Sequence, residues 1–121
     1  MNKRSQATSF NYYAKLNIRE RDNHRCIMCG SRHSLTYAHY ISRANGGLGI
    51  EENGVLLCIE CHRETDQSTR RKTNLAIIKE YLKKWYPYWN EEMLKYKKGV
   101  DYAHTSSYQL RAKSLVESES E

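Results

Sequence analysis

Four cysteines stand in two pairs of identical spacing, Cys26-Ile-Met-Cys29 and Cys58-Ile-Glu-Cys61. A CxxC turn brings two thiolates within reach of one ion and points backbone N–H groups at the sulfurs. Two such turns complete the tetrahedral shell of four sulfurs that zinc prefers, with no coordination position left open. A closed site of this kind is structural. It would tie the first helix to the second strand and so offset a small core. Two redox CxxC motifs, or four unrelated buried thiols, are the other arrangements the spacing permits. Residues 1–10 hold no apolar stretch of signal-peptide type. The expected compartment is therefore the reducing cytoplasm, where a metal is favoured over disulfides.

Between and after the cysteine pairs lie three residues of a second kind. His39 falls in the strand-forming run Leu-Thr-Tyr-Ala-His-Tyr-Ile at residues 35–41, Asn53 precedes the short apolar run 55–57, and His62 directly follows Cys61. A β-hairpin followed by a helix can gather these side chains around one point, because the zinc would hold both ends. Asp66 lies four residues beyond His62 and hence on the same helical face, where an i, i+4 pair can hold one hard ion. Arg43 follows His39 by four residues and could clamp a phosphate bidentately. Each has a plainer alternative: a half-buried structural histidine, a turn asparagine, a histidine assisting the second knuckle, a solvated carboxylate and a surface arginine. Glu64 points elsewhere on such a helix, and His24, His33 and His104 have no motif partner.

The elements that would position these residues follow from periodicity. Residues 9–22 read as a helix with Phe10, Tyr13 and Leu16 on one face. Strands are expected at 35–41 and 55–57, separated by the glycine-rich loop 45–49. A short helix after Cys61 should reach about residue 66. A longer one should span 69–85, with Leu75, Ile78, Leu82 and Trp85 at amphipathic spacing and Pro87 ending it. Asn90 is a suitable N-cap for a last short helix to about residue 97. Tyr86, Tyr88 and Trp89 read as a small aromatic core that packs the C-terminal helices. The domain plan is a flexible N-terminus at 1–8, a single domain at 9–100, and a disordered acidic tail at 101–121.

Length and charge bound the function. A chain of 121 residues is expected to form one domain. It carries 20 Lys and Arg against 14 Asp and Glu, a formal charge of +6. The positive charge sits in two blocks, residues 1–25 and 69–99, flanking a mildly acidic centre. That pattern points to a polyanionic partner, with DNA or RNA first, and Lys and Arg of the two blocks could flank a duplex. No apolar run is long enough to cross a membrane as a helix.

The order His39, Asn53, His62 with interleaved CxxC pairs resembles the HNH endonuclease family. The likeness is carried by Arg21-Asp22, Cys26-Ile-Met-Cys29-Gly30, Ala38-His39-Tyr40-Ile41-Ser42-Arg43, Gly46-Gly47, Asn53 and Leu57-Cys58-Ile59-Glu60-Cys61-His62. The loop Gly-Gly-Leu-Gly-Ile-Glu-Glu-Asn and the run Tyr86-Pro87-Tyr88-Trp89-Asn90 most resemble small HNH proteins of bacteriophages and prophages. The resemblance implies an α+β fold, a zinc-stapled ββα-metal finger with flanking helices. It implies metal-dependent hydrolysis of DNA phosphodiester bonds, leaving a 5′-phosphate and a 3′-hydroxyl. His39 would then be the general base, Asn53 a brace for the loop that carries it, and His62 a ligand of a catalytic Mg²⁺ or Mn²⁺, with Asp66 as second ligand. Many HNH enzymes place a metal-binding residue just before the base, and here that position is Ala38. Nicking or cutting with little intrinsic sequence preference is expected. The competing expectations are an HNH scaffold that only binds nucleic acid and an accessory to phage DNA packaging or another DNA-processing machine.

Overall fold

A computed structural model describes residues 2–100 and Tyr102. The tail expected at 101–121 lies, Tyr102 apart, outside the described residues. In chain order the elements are helices α1 (Lys3–Thr8) and α2 (Tyr12–Arg21), strands β1 (Leu35–His39) and β2 (Gly54–Cys58), and helices α3 (Ile59–Gln67) and α4 (Arg71–Trp85). Single 3₁₀ turns lie at Arg43–Asn45, Glu51–Asn53 and Glu92–Leu94.

The strands form one antiparallel hairpin in which Leu35 pairs with Cys58 at one end and His39 with Gly54 at the other. Paired residues share a face, so Thr36, Ala38, Val55 and Leu57 lie on one side and Tyr37, His39, Gly54 and Leu56 on the other. Val55, Leu56 and Leu57 are all fully buried, so both faces of β2 are covered. Ala38, Val55 and Leu57 join Ile78, Leu82, Tyr86, Trp89 and Leu94 in the main core. Ala14 and Ile18 of α2 are fully buried, and Ile18 meets Phe10 over Gly54. A Cβ at Gly54 would stand 2.6 Å from the Phe10 ring and 2.7 Å from Ile18, so only glycine admits that packing.

Polar residues do unusual work in this small core. The Arg21 guanidinium is bidentate to Asp22 and also donates to the carbonyls of Glu51 and Gly54. Asp22 in turn accepts from the Leu56 N–H at 2.8 Å and the Tyr81 hydroxyl at 2.6 Å. The pair thus locks the end of α2 onto β2 and α4 with every bond satisfied, the condition under which a buried ion pair is tolerated. The aromatic group expected after α4 is part of the core: Tyr86 and Trp89 are buried, and the Trp89 indole donates to the Glu52 carbonyl.

Three expectations about the elements change. Residues 3–8 are helical, not frayed, because Asn2 caps the Ser5 N–H and the Ala7 carbonyl accepts from Gly49. The buried face of α2 is Ala14 and Ile18; Tyr13 and Leu16 are exposed. That side of α2 packs on β2, where Ile18 stands over Gly54. After Asn90, whose side chain accepts from the Met93 N–H, only the single turn Glu92–Leu94 forms.

Candidate metal centre and active site

At the Cys58 end of the hairpin the four cysteine sulfurs lie within 4.8 Å of one another, and all four are free thiols. Cys29 and Cys58 are 3.6 Å apart, well beyond a disulfide bond. Four sulfurs at about 2.3 Å from one zinc would stand about 3.8 Å apart, so the cluster has the dimensions of a tetrahedral zinc site. Its first knuckle is closed by the Gly30 N–H donating to Cys26, with Gly30 at φ +80°. The second begins α3, where the Cys61 N–H points at the Cys58 sulfur. Burial pushes the Cys26 thiol up, but backbone N–H groups of Cys58, Cys29 and Met28 outweigh it and hold it at about 7. Burial and the neighbouring sulfurs push Cys61 strongly up. One sulfur ionises readily while its neighbour resists, and a cation placed among them relieves that conflict. The cysteines are therefore arranged to hold a metal ion, and zinc fits them.

At the other end of the hairpin His39 is half-buried. Its Nε2 lies 2.7 Å from the Thr8 carbonyl, and its ring stacks against Phe10 at 4.2 Å between centroids. A carbonyl only accepts, so Nε2 carries the proton and Nδ1 keeps its lone pair. Burial lowers the His39 pKa, the Thr8 carbonyl opposes that, and Arg43 and, when protonated, His62 lower it further. The neutral, proton-accepting form is thereby favoured at neutral pH.

His62 is fixed in the opposite sense. The Thr36 hydroxyl donates to the Leu57 carbonyl at 2.8 Å and lies 2.7 Å from His62 Nδ1. Having one proton, already given to Leu57, the hydroxyl must accept from Nδ1–H. The lone pair of His62 is then on Nε2, which faces Asp66 Oδ2 at 3.4 Å. Two electron-rich atoms so placed repel each other unless a proton or a cation lies between them. Ala38 is buried on the Thr36 face of β1, the face on which His62 bears, and offers no ligand atom.

Asn53 spans the turn between β1 and β2. Its Oδ1 accepts from the Ile41 N–H at 2.8 Å, and its Nδ2 donates to the carbonyls of Ile41 and Leu48 at 3.1 and 2.8 Å. The turn closes tightly enough that a Cβ on Gly47 would fall 1.6 Å from the Ile41 carbonyl oxygen. Arg43 is exposed and reaches back to α1, with Nε 3.3 Å from the Thr8 hydroxyl and Nη2 3.3 Å from the Ser5 carbonyl.

Thr8 and Thr36 were not singled out by the sequence, and Phe10 was read only as part of a helix face. A backbone carbonyl leaves no mark on residue identity, and a threonine in a strand is ordinary. Phe10 is the one phenylalanine of the chain, a weak signal at most.

Residues 26–67 match the family model for HNH endonuclease, and this segment is similar to that family. It contains both cysteine pairs, the hairpin and α3. A search of curated proteins finds no match. No helix of the described residues is long and apolar enough to cross a membrane.

Proposed function

We propose, from the match of residues 26–67 to the HNH endonuclease family model, that the protein is a metal-dependent DNA endonuclease that hydrolyses phosphodiester bonds. The observation that carries this reading is the complementary setting of two histidines, one with a free Nδ1 and the other with a free Nε2 directed at a carboxylate.

His39 Nδ1 takes a proton from the water that attacks the scissile phosphorus. The Thr8 carbonyl keeps Nε2 protonated and so keeps Nδ1 available. As the water oxygen bonds to phosphorus, the bond from phosphorus to the 3′-oxygen breaks, leaving a 5′-phosphate and a 3′-hydroxyl. His62 Nε2 and Asp66 Oδ2 would hold a divalent cation, Mg²⁺ or Mn²⁺, which would supply charge stabilisation for the leaving oxygen. Ala38 offers no further ligand atom, so a high cation requirement is expected. Arg43, on the loop that follows His39, contributes a phosphate contact. Asn53 acts through the backbone by fixing that loop. Low intrinsic sequence preference is part of this reading, with targeting left to a partner protein.

The test is relaxation of supercoiled plasmid by zinc-loaded protein with added Mg²⁺ or Mn²⁺, against no added cation and against His39→Ala. Cation-dependent nicking, reduced about 10²- to 10⁴-fold in the variant, is the expected result. A folded protein that shifts DNA on a gel yet cuts with neither cation would make the domain a binding scaffold instead.

A further inference from the structure

The face of α2 turned away from the core is neither charged throughout nor plainly polar. Tyr12, Lys15, Leu16 and Arg19 follow one another at helical spacing, opposite the buried Ala14 and Ile18. Tyr12 and Tyr13 are 71% and 64% exposed and Leu16 is 39% exposed, on a chain of net charge +6. The two tyrosine rings stand 5.5 Å apart at 78°, forming an L-shaped corner open to solvent.

This stripe is continuous with the candidate active site. Lys15 Nζ and the Arg19 guanidinium lie over the Tyr37 ring, at 5.6 and 5.7 Å from its centroid, and Arg19 Nε also donates to the Tyr37 hydroxyl. Tyr37 shares its face of β1 with His39. Phe10 bridges the two, with ring centroids 6.2 Å from Tyr37 and 4.2 Å from His39. At about 3.4 Å of axis per nucleotide, two such ring steps correspond to a few nucleotides of one strand.

We propose that the Tyr12–Arg19 stripe holds an unpaired DNA strand that runs up to His39, so that the substrate class is DNA with a single-stranded segment next to the cut. Cations and exposed aromatic rings in one stripe suit single strands, whose bases present a π-face that a duplex hides in its stack. Lys15 and Arg19 engage the phosphates, and the tyrosine corner receives a base. The placement of the cut rests on the nuclease reading above; the binding preference does not.

The experiment uses the full, zinc-loaded chain carrying His39→Ala, without added divalent cation, and fluorescence anisotropy with two labelled DNAs. One is a blunt duplex, and the other is the same duplex with a single-stranded thymidine overhang. The overhang DNA should bind about tenfold more tightly, in keeping with the worth of one or two stacked bases. Adding Tyr12→Ala and Tyr13→Ala should abolish that preference while leaving the blunt duplex unaffected. Both tyrosines are exposed, so the variants keep the fold. Adding Lys15→Gln and Arg19→Gln instead should weaken binding of the overhang DNA most at low salt and flatten its salt dependence. Equal affinity for the two DNAs, or a tyrosine variant that weakens both alike, would overturn the proposal. Plasmid cutting by a protein with no overhang preference would break this inference alone. An overhang preference in a protein that cuts nothing would break the nuclease reading and leave the strand-binding surface standing.

Discussion

The two ends of one hairpin are held in different ways. At the Leu35–Cys58 end, four side chains of one kind converge from two short motifs, and everything needed lies within residues 26–61. At the His39–Gly54 end, His39 is set by partners from far along the chain, Thr8 and Phe10, while His62, in α3 just past the cysteine end, is oriented by Thr36 of β1. The first end gathers four sulfurs arranged to hold a metal ion. The second fixes which nitrogen of His39 carries the proton. The matched segment alone does not set His39, because α1 and the turn before α2 supply the contacts that choose its tautomer.

The largest expected effect lies at the cysteine end. Stripping the metal with a chelator, or replacing Cys58 with Ser, should abolish the cooperative thermal transition. Structural zinc contributes about 10–16 kcal/mol in small zinc-dependent units, far more than other contacts of this core can replace. Retention of near-UV circular dichroism after complete metal removal would show that the two ends are equally metal-independent.

Next in size is the buried pair that joins α2 to the hairpin. Asp22→Ala leaves Arg21 charged and buried and orphans the Leu56 N–H. A loss of about 3–5 kcal/mol is expected in denaturant unfolding, with zinc still bound. A loss below 1 kcal/mol would mean that the guanidinium finds other acceptors.

The smallest effect separates the ends by pH. Arg43 is one of the charges that lower the His39 pKa. In Arg43→Gln that contribution disappears, the His39 pKa rises toward its ordinary value, and more of the base is protonated at a given acidic pH. The acidic limb of the cleavage profile should therefore move to higher pH, while metal affinity at the cysteines is unchanged. A limb that stays in place would remove Arg43 from the electrostatics of the base.

Much of this contrast was legible in the sequence, and the boundary is physical. Identical CxxC spacing announces a tetrahedral cluster because the ligands are side chains in fixed local turns. The hairpin and α3 follow from apolar runs and punctuation by Gly47 and Cys61. The buried face of α2 departs from the expectation because periodicity assumes that the larger apolar residues go inside, whereas Ala14 and Ile18 are buried and the tyrosines face out. The α1 helix was missed because a polar six-residue segment has no periodicity to read; it exists through a cap and one long-range backbone bond to Gly49. Glu51 and Glu52 are buried, contrary to what their charge suggests, with the Tyr86 and Tyr88 hydroxyls donating to their carboxylates.

Chemical rescue separates the proposed roles of the two histidines. Cleavage of a labelled DNA would be measured under single-turnover conditions for His39→Ala and His62→Ala, while Mn²⁺ and free imidazole are varied separately. Imidazole should restore activity to His39→Ala, whereas raised Mn²⁺ should restore it to His62→Ala, with no exchange of remedies. Rescue of both variants by the same addition would contradict those roles.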